Sequence, residues 1–247
     1  MTTATLVVVP QREEFEPLAA TLAALGHEGC AASVGRIGVL SFDALRLCVA
    51  VGGHGKAQSA LQTQHLLDLL PDASTVICAG AAGSLCGDVG RGDVVVGTCT
   101  VEHDYTLRFS PAPAPVHSAD EVALRHMKTV SPQFEQRFRV LFGPIASGDE
   151  DIVDAGRAQA VRERTAALCV TWEGAGAARA AQFSQRRFLE VRVITDGADE
   201  AAASDYRSSL KAVVPNLAAV IAAWAREAGR SNNGIHQTAA SRLQVMP

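Results

Sequence analysis

Asp196 stands at the end of VRVITDGADE (residues 191–200), where a run of β-branched residues stops at Thr195 and Gly197 breaks the pattern. An apolar run bounded by a turn signal reads as a buried parallel strand, and in open α/β sheets ligands bind just past the carboxyl ends of such strands. A carboxylate there is partly desolvated, which raises its pKa and lets it hold a proton near neutral pH for delivery to a substrate. The competing use of the same residue is to cap the turn or helix that follows. Glu13 and Glu14 open a helical pattern, where negative charge also suits the helix dipole, so structural and chemical roles stand side by side. GGHGK (52–56) puts glycines after a strand pattern and before a helix, which allows a tight turn and close backbone approach to a ligand. It has neither the P-loop spacing nor the dinucleotide fingerprint. His103 and Asp104 are neighbours at the end of a strand pattern and so point to opposite faces, which argues against a shared metal.

The elements that must position these residues follow from periodicity and punctuation. A first strand at 6–9 is ended by Pro10, and a helix over 13–25 puts Phe15, Leu18, Leu22 and Leu25 on one side. Strands at 39–42 and 45–51 precede a helix at 57–70. A short buried strand at 75–78 runs into the small-residue stretch AGAAGSL (79–85), read as a loop in a repeated order of strand, loop and helix. A long strand covers 94–101, and PAPAP within 110–118 reads as an ordered surface loop or lid. Then come a helix at 119–130, a strand at 140–145, a helix at 158–166 and a strand at 167–171 that ends at Trp172 and Glu173. The small-residue helix GAGAARAAQF is suited to close packing against a sheet, and an amphipathic helix at 208–225 closes the pattern. No repeat or second composition block is visible, so we expect one domain over residues 1–226. Residues 227–247 show no periodicity and are expected to be mobile or to lie across a neighbouring subunit.

Composition narrows the partners. A hydrophobic fraction of 48% with 19% charged residues describes a globular chain with a generous core. The formal net charge of -4 gives no electrostatic reason for nucleic acid or an anionic membrane as partner, and small neutral substrates fit better. The six cysteines form no CxxC pair and lie mostly in apolar runs, which points to reduced, buried thiols in a cytoplasmic protein and away from a disulfide framework or a zinc site. The first residues carry a short apolar run without a basic leader and read as a strand, neither a signal peptide nor a membrane span.

Taken in order, GGHGK, AGAAGSL, GDVVVG, ASGDED, TWEGAG and VRVITDGAD resemble the nucleoside phosphorylase superfamily, and within it the 5′-methylthioadenosine/S-adenosylhomocysteine nucleosidases, from about residue 6 to 224. The resemblance implies a single three-layer α/β/α domain with a central twisted mixed sheet, a homo-oligomer with a dimer expected, a small nucleoside as substrate, and neither cofactor nor metal. It implies hydrolysis of the N-glycosidic bond of a 5′-modified adenosine. Asp196 would protonate the purine at N7, Glu173 would hold the ribose hydroxyls, and Glu14 would activate the attacking water. Arg192 would place that water or orient a carboxylate, and Thr195 would assist near the base.

Other positions depart from the family pattern. Thr171 and Trp172 stand where the ribose-side motif has an acidic residue and a methionine, and Asp151 where an aromatic packs on adenine, while Ile152 keeps its apolar place. Trp172 either stacks under the substrate or fills core volume. His54 replaces an aliphatic residue near the 5′ substituent, where Tyr105 and Phe109 are also expected. Ala81 and Gly83 border the substrate, with Ala81 replacing a hydroxyl, and Gly53 offers a backbone N–H. Cys78 and Ala81 fall where phosphorylases carry an arginine and a threonine, which favours water over phosphate, although Arg36 and Arg91 are candidates to reach an anion. The alternatives are a phosphorylase, a hydrolase of another nucleoside such as futalosine or an adenosyl-lipid, and a nucleoside-binding protein without turnover.

Overall fold

A computed structural model describes the backbone of residues 3–110 and 112–243 and side chains up to residue 231. Among these residues the elements run β1 (Thr5–Val9), α1 (Arg12–Ala24), β2 (Cys30–Val34), β3 (Ile37–Phe42), β4 (Leu47–Val51), α2 (Gly55–Leu69), β5 (Thr75–Ser84), β6 (Val94–Glu102) and β7 (Val116–Ser118). They continue with α3 (Glu121–Val130), β8 (Val140–Ser147), α4 (Ala155–Thr165), β9 (Cys169–Thr171), α5 (Gly174–Phe183), β10 (Arg187–Asp196) and α6 (Ala202–Leu243). Local chemistry sets several boundaries. Asp120 accepts the N–H of Ala123 at 2.9 Å at the start of α3, and Asp154 accepts that of Arg157 at 2.7 Å at the start of α4.

All the strands belong to one mixed sheet. β1 lies between β4 and β5 in parallel register, and β2 and β3 extend the β4 edge antiparallel. Beyond β5 the pairings close on themselves: β5 with β10, β10 with β6, β6 with β8, β8 with β9, and β9 back to β5. The inside of this circuit is filled by Ala82, Val95, Ile145, Cys169 and Ile194, one residue from each of its strands. Period-two alternation explains the layers on either face. Val7 and Val9 face Leu18, Leu22, Ile221 and Trp224 of α1 and α6, whereas Leu6 and Val8 face Leu66, Ala177 and Ala181 of α2 and α5. The three-layer α/β/α arrangement is therefore the one expected.

Three local expectations change. AGAAGSL is no loop leading to a helix: β5 runs on to Ser84, ten residues in all. Its residues are small because side chains from α1 and β10 press against the strand. A Cβ at Gly80 would meet the Glu14 carboxylate and lie 2.8 Å from Arg192 Nη1, and one at Gly83 would lie 2.8 Å from Asp196 Oδ1. The last helix starts earlier than its apolar pattern and runs to Leu243, covering much of the stretch expected to be loose, while residues 244–247 lie outside the described residues. β2 and β7 are strands without a strong apolar signal, and each is held by an antiparallel neighbour. α6 is long and apolar enough to cross a membrane, but 72% of its apolar window is buried against α1, α3 and the sheet, which makes it a core helix.

Candidate active site

A cavity of about 460 Å³ opens where β5 and β10 end and where α1 and α6 begin, and takes in the loops that follow β8 and β9. That volume suits a nucleoside-sized ligand. Asp196, Glu173 and Glu14 all line it.

β10 delivers two of the charged groups by alternation. Its odd residues Val191 and Val193 enter the α6 core, so Glu190, Arg192 and Ile194 share the opposite face, toward the strand circuit. Arg192 is wholly buried. Its Nη1 donates to Glu173 Oε2 at 3.3 Å and to the Ala81 carbonyl at 3.4 Å, its Nη2 contacts Cys78 Sγ at 3.2 Å, and its Nε donates to Glu190 Oε1 at 2.9 Å.

Asp196 ends the same strand. Its Oδ2 accepts from the Thr195 hydroxyl at 2.7 Å and its Oδ1 from the Ala198 N–H at 3.0 Å. Burial pushes its carboxyl above the ordinary range against both of these hydrogen bonds. The two uses foreseen for Asp196 are thus combined, since one oxygen holds the turn while the residue faces the cavity as a carboxyl that keeps its proton to higher pH.

Glu173 lies between β9 and α5. Its Oε1 accepts from the Gly55 N–H at 3.2 Å and from His54 Nδ1 at 3.0 Å. Burial raises its pKa, but the His54 hydrogen bond and the Arg192 charge outweigh burial and hold it below the usual carboxylate range. Glu14 turns inward from the first turn of α1, and its Oε2 accepts from the Ala81 N–H at 2.7 Å. Burial, reinforced by the negative charge of Glu173, pushes it up to about 8. One carboxylate held ionised and one poised near neutrality can grip a polar ligand and accept a proton.

His54 is held above its ordinary pKa by the hydrogen bond to Glu173, and its ring stacks on Trp172 at 4.5 Å between centroids. Both border the cavity, with Asp151, Ile152, Thr171, Thr195, Ala81 and Gly83. Thr171 directs its hydroxyl to Glu190 Oε1 at 3.0 Å. Gly53 and Tyr105 are not brought to the cavity. Gly53 has φ +86 and faces Gln58 and Gln62 of α2, and Tyr105 follows the turn after β6, where Arg164 of α4 holds its carbonyl at 2.9 Å. Phe109 is fully exposed. Arg36 lines a separate groove with His65, and Arg91 pairs with Asp205 at 2.9 Å, so neither borders this cavity.

Sequence reasoning missed Tyr206 and Arg207 of α6, which close one wall, and Glu190. Tyr206 donates to Glu13 Oε1 at 2.8 Å. The signal for Glu190 was present in LEVRV, where two charged residues alternate with apolar ones. No group of three or more His, Cys, Asp and Glu side chains suited to a metal ion occurs among the described residues.

Residues 4–226 match the phosphorylase superfamily. A 5′-methylthioadenosine/S-adenosylhomocysteine nucleosidase of Thermotoga maritima is 30% identical over 148 residues, 60% of this chain and 64% of that protein, so the chain spans a little under two thirds of the relative's length. The nucleosidase of the same name from Helicobacter pylori, solved with a bound ligand, shares 25% identity and superposes with a TM-score of 0.78, covering 90% of this chain and 97% of that one. The futalosine hydrolase of Helicobacter pylori also shares 25% identity, with a TM-score of 0.80 and the same coverage. With the family match running through all the strands and most of α6, this chain belongs to the phosphorylase superfamily.

Proposed function

We propose that the protein is a nucleosidase that hydrolyses the N-glycosidic bond of a 5′-modified adenosine of the methylthioadenosine or adenosylhomocysteine type. The observation that carries this reading is the sharing of one cavity by Asp196, Glu173 and Glu14, with the latter two facing one buried guanidinium. Asp196 supplies the proton at N7 that makes the purine a leaving group. Glu173 binds the ribose hydroxyls and favours the cationic character that develops at the sugar. Glu14 takes a proton from water as its oxygen bonds to the anomeric carbon, and the base departs with the proton from Asp196.

The groups around Glu14 favour water as the nucleophile, although Arg207 brings one cation to the far cavity wall. Cys78 and Ala81 offer no cation, and the Arg192 guanidinium already serves Glu190 and Glu173. The test is adenine release from methylthioadenosine and adenosylhomocysteine in phosphate-free buffer. Turnover only on adding phosphate would make the protein a phosphorylase, and tight nucleoside binding without base release would make it a binding protein.

A second reading, hydrolysis of a nucleoside with a more polar 5′ group such as futalosine, is favoured by the His54–Trp172 stack at the cavity wall. Relative kcat/KM across a panel of such nucleosides separates the two. We further propose that the protein acts as a homodimer in a reducing compartment, in keeping with its six free thiols. Sedimentation at micromolar concentration measures the former.

A further inference from the structure

Glu190 is a buried carboxylate to which the proposed reaction gives no part. It lies two residues before Arg192 on the same face of β10, with a side chain wholly shielded from solvent. Its Oε1 accepts from Arg192 Nε at 2.9 Å and from the Thr171 hydroxyl at 3.0 Å, and its Oε2 accepts from the Thr100 hydroxyl. The site is built to receive it. A Cβ at Gly174, the first residue of α5, would run into the Glu190 carboxylate, and one at Gly97 of β6 would lie 3.4 Å from Glu190 Cβ. An apolar side chain would fill this volume without the desolvation that a buried carboxylate incurs.

What the carboxylate adds is a fixed orientation and a charge. The guanidinium is held along one edge by Glu190, which leaves Nη1 for Glu173 and the Ala81 carbonyl. Glu14, on the far side, feels the charges of Arg192, Glu173 and Glu13. His54, Tyr206 and the Cys78 thiol are the other titratable groups that feel Glu14, and the thiols of Cys78, Cys99 and Cys169 surround Glu190. One cation therefore faces three buried carboxylates.

We propose that Glu190 is a positioning residue that fixes the plane of the Arg192 guanidinium and offsets its charge, so that Glu14 stays basic enough to take a proton from water. The proposal rests on the reading of Glu14 as the base. Without this counter-charge the guanidinium would favour ionised Glu14 at lower pH and leave it a weaker base.

The test uses the full chain with Glu190→Gln, which keeps the shape and an acceptor for Arg192 Nε and removes the charge. Carbon-13-labelled glutamate reports the titration of Glu14 without substrate, its resonance identified by its loss in Glu14→Gln. We expect the Glu14 midpoint to fall by about one pH unit. The rising limb of kcat/KM against pH should move with it, and the plateau of kcat should fall roughly tenfold, with KM less affected. An unmoved midpoint in a folded Glu190→Gln protein overturns the proposal.

Should that variant not fold, the exchange Thr171→Glu with Glu190→Thr moves the carboxylate to the other end of the same hydrogen bond, and Thr171→Gln with Glu190→Thr is its uncharged counterpart. The first should keep the midpoint and the second lower it, and equal midpoints overturn the proposal. Failure of the functional reading looks different: the unaltered protein then releases no base from any nucleoside, while the Glu14 midpoint still responds to Glu190.

Discussion

At the scale of single residues, environment separates carboxylates of the same chemistry. Asp196 is raised by burial, Glu14 is raised to about 8 by burial and by Glu173, and Glu173 is held low chiefly by His54 and Arg192. Asp196→Asn should lower the rate of base release by about 10²–10⁴-fold, the usual worth of a positioned acid. An unchanged rate would place the acid elsewhere. Glu14 also makes a prediction about stability. Its folded pKa of about 8 exceeds the unfolded value near 4.5, so the folded state binds the extra proton between those values. Stability contributed at this site falls as pH rises through that window. Glu14→Gln should therefore stay close to the unaltered protein at pH ~5 and exceed it by about 4 kcal/mol at pH ~9, as read by urea unfolding. Equal stabilities at both values would show that Glu14 is not desolvated as described.

At the scale of elements, small residues mark where charged side chains or backbones come close. Gly80 of β5 has no room for a Cβ beside Glu14 and Arg192, and Gly80→Ala should cut activity at least tenfold and destabilise by about 1–3 kcal/mol. In α5, a Cβ at Gly176 would collide with the Lys56 carbonyl and lie 3.0 Å from the Ala60 N–H of α2. Gly176→Ala should cost a similar ~1–3 kcal/mol, because it forces α2 and α5 apart at Lys56. A stability change confined to Gly80→Ala would mean that α2 and α5 pack less tightly than described. These glycines also show why AGAAGSL was misread. Lack of bulk signals a loop when the partners are unknown, yet here it marks a strand crowded from both sides by functional groups.

At the scale of the whole molecule, the closed strand circuit and the two helix layers have their own packed clusters but share β5 and β10, which should couple them into one folding unit. The two tryptophans test this, since Trp172 lies at the cavity and Trp224 in the α6 layer. Urea transitions of Trp172→Phe and Trp224→Phe, each followed by its remaining tryptophan, should coincide with their circular dichroism, and separated midpoints would reveal independent units. The amino-acid order by itself determined the α/β class and most strands and helices, because apolar period and turn punctuation are local properties, and it marked Asp196 as a candidate at a strand end, while Glu173, Glu14 and Arg192 became candidates only through the resemblance of the ordered motifs. Only the tertiary structure decided that one cavity gathers the carboxyls of Asp196, Glu173 and Glu14, that Tyr206 lines it and Glu190 pairs with Arg192, and that Gly53 and Tyr105 stay outside it. Those outcomes depend on strand pairings and burial that bring together residues far apart in the chain, and pKa follows from that shared surrounding, which no single stretch carries.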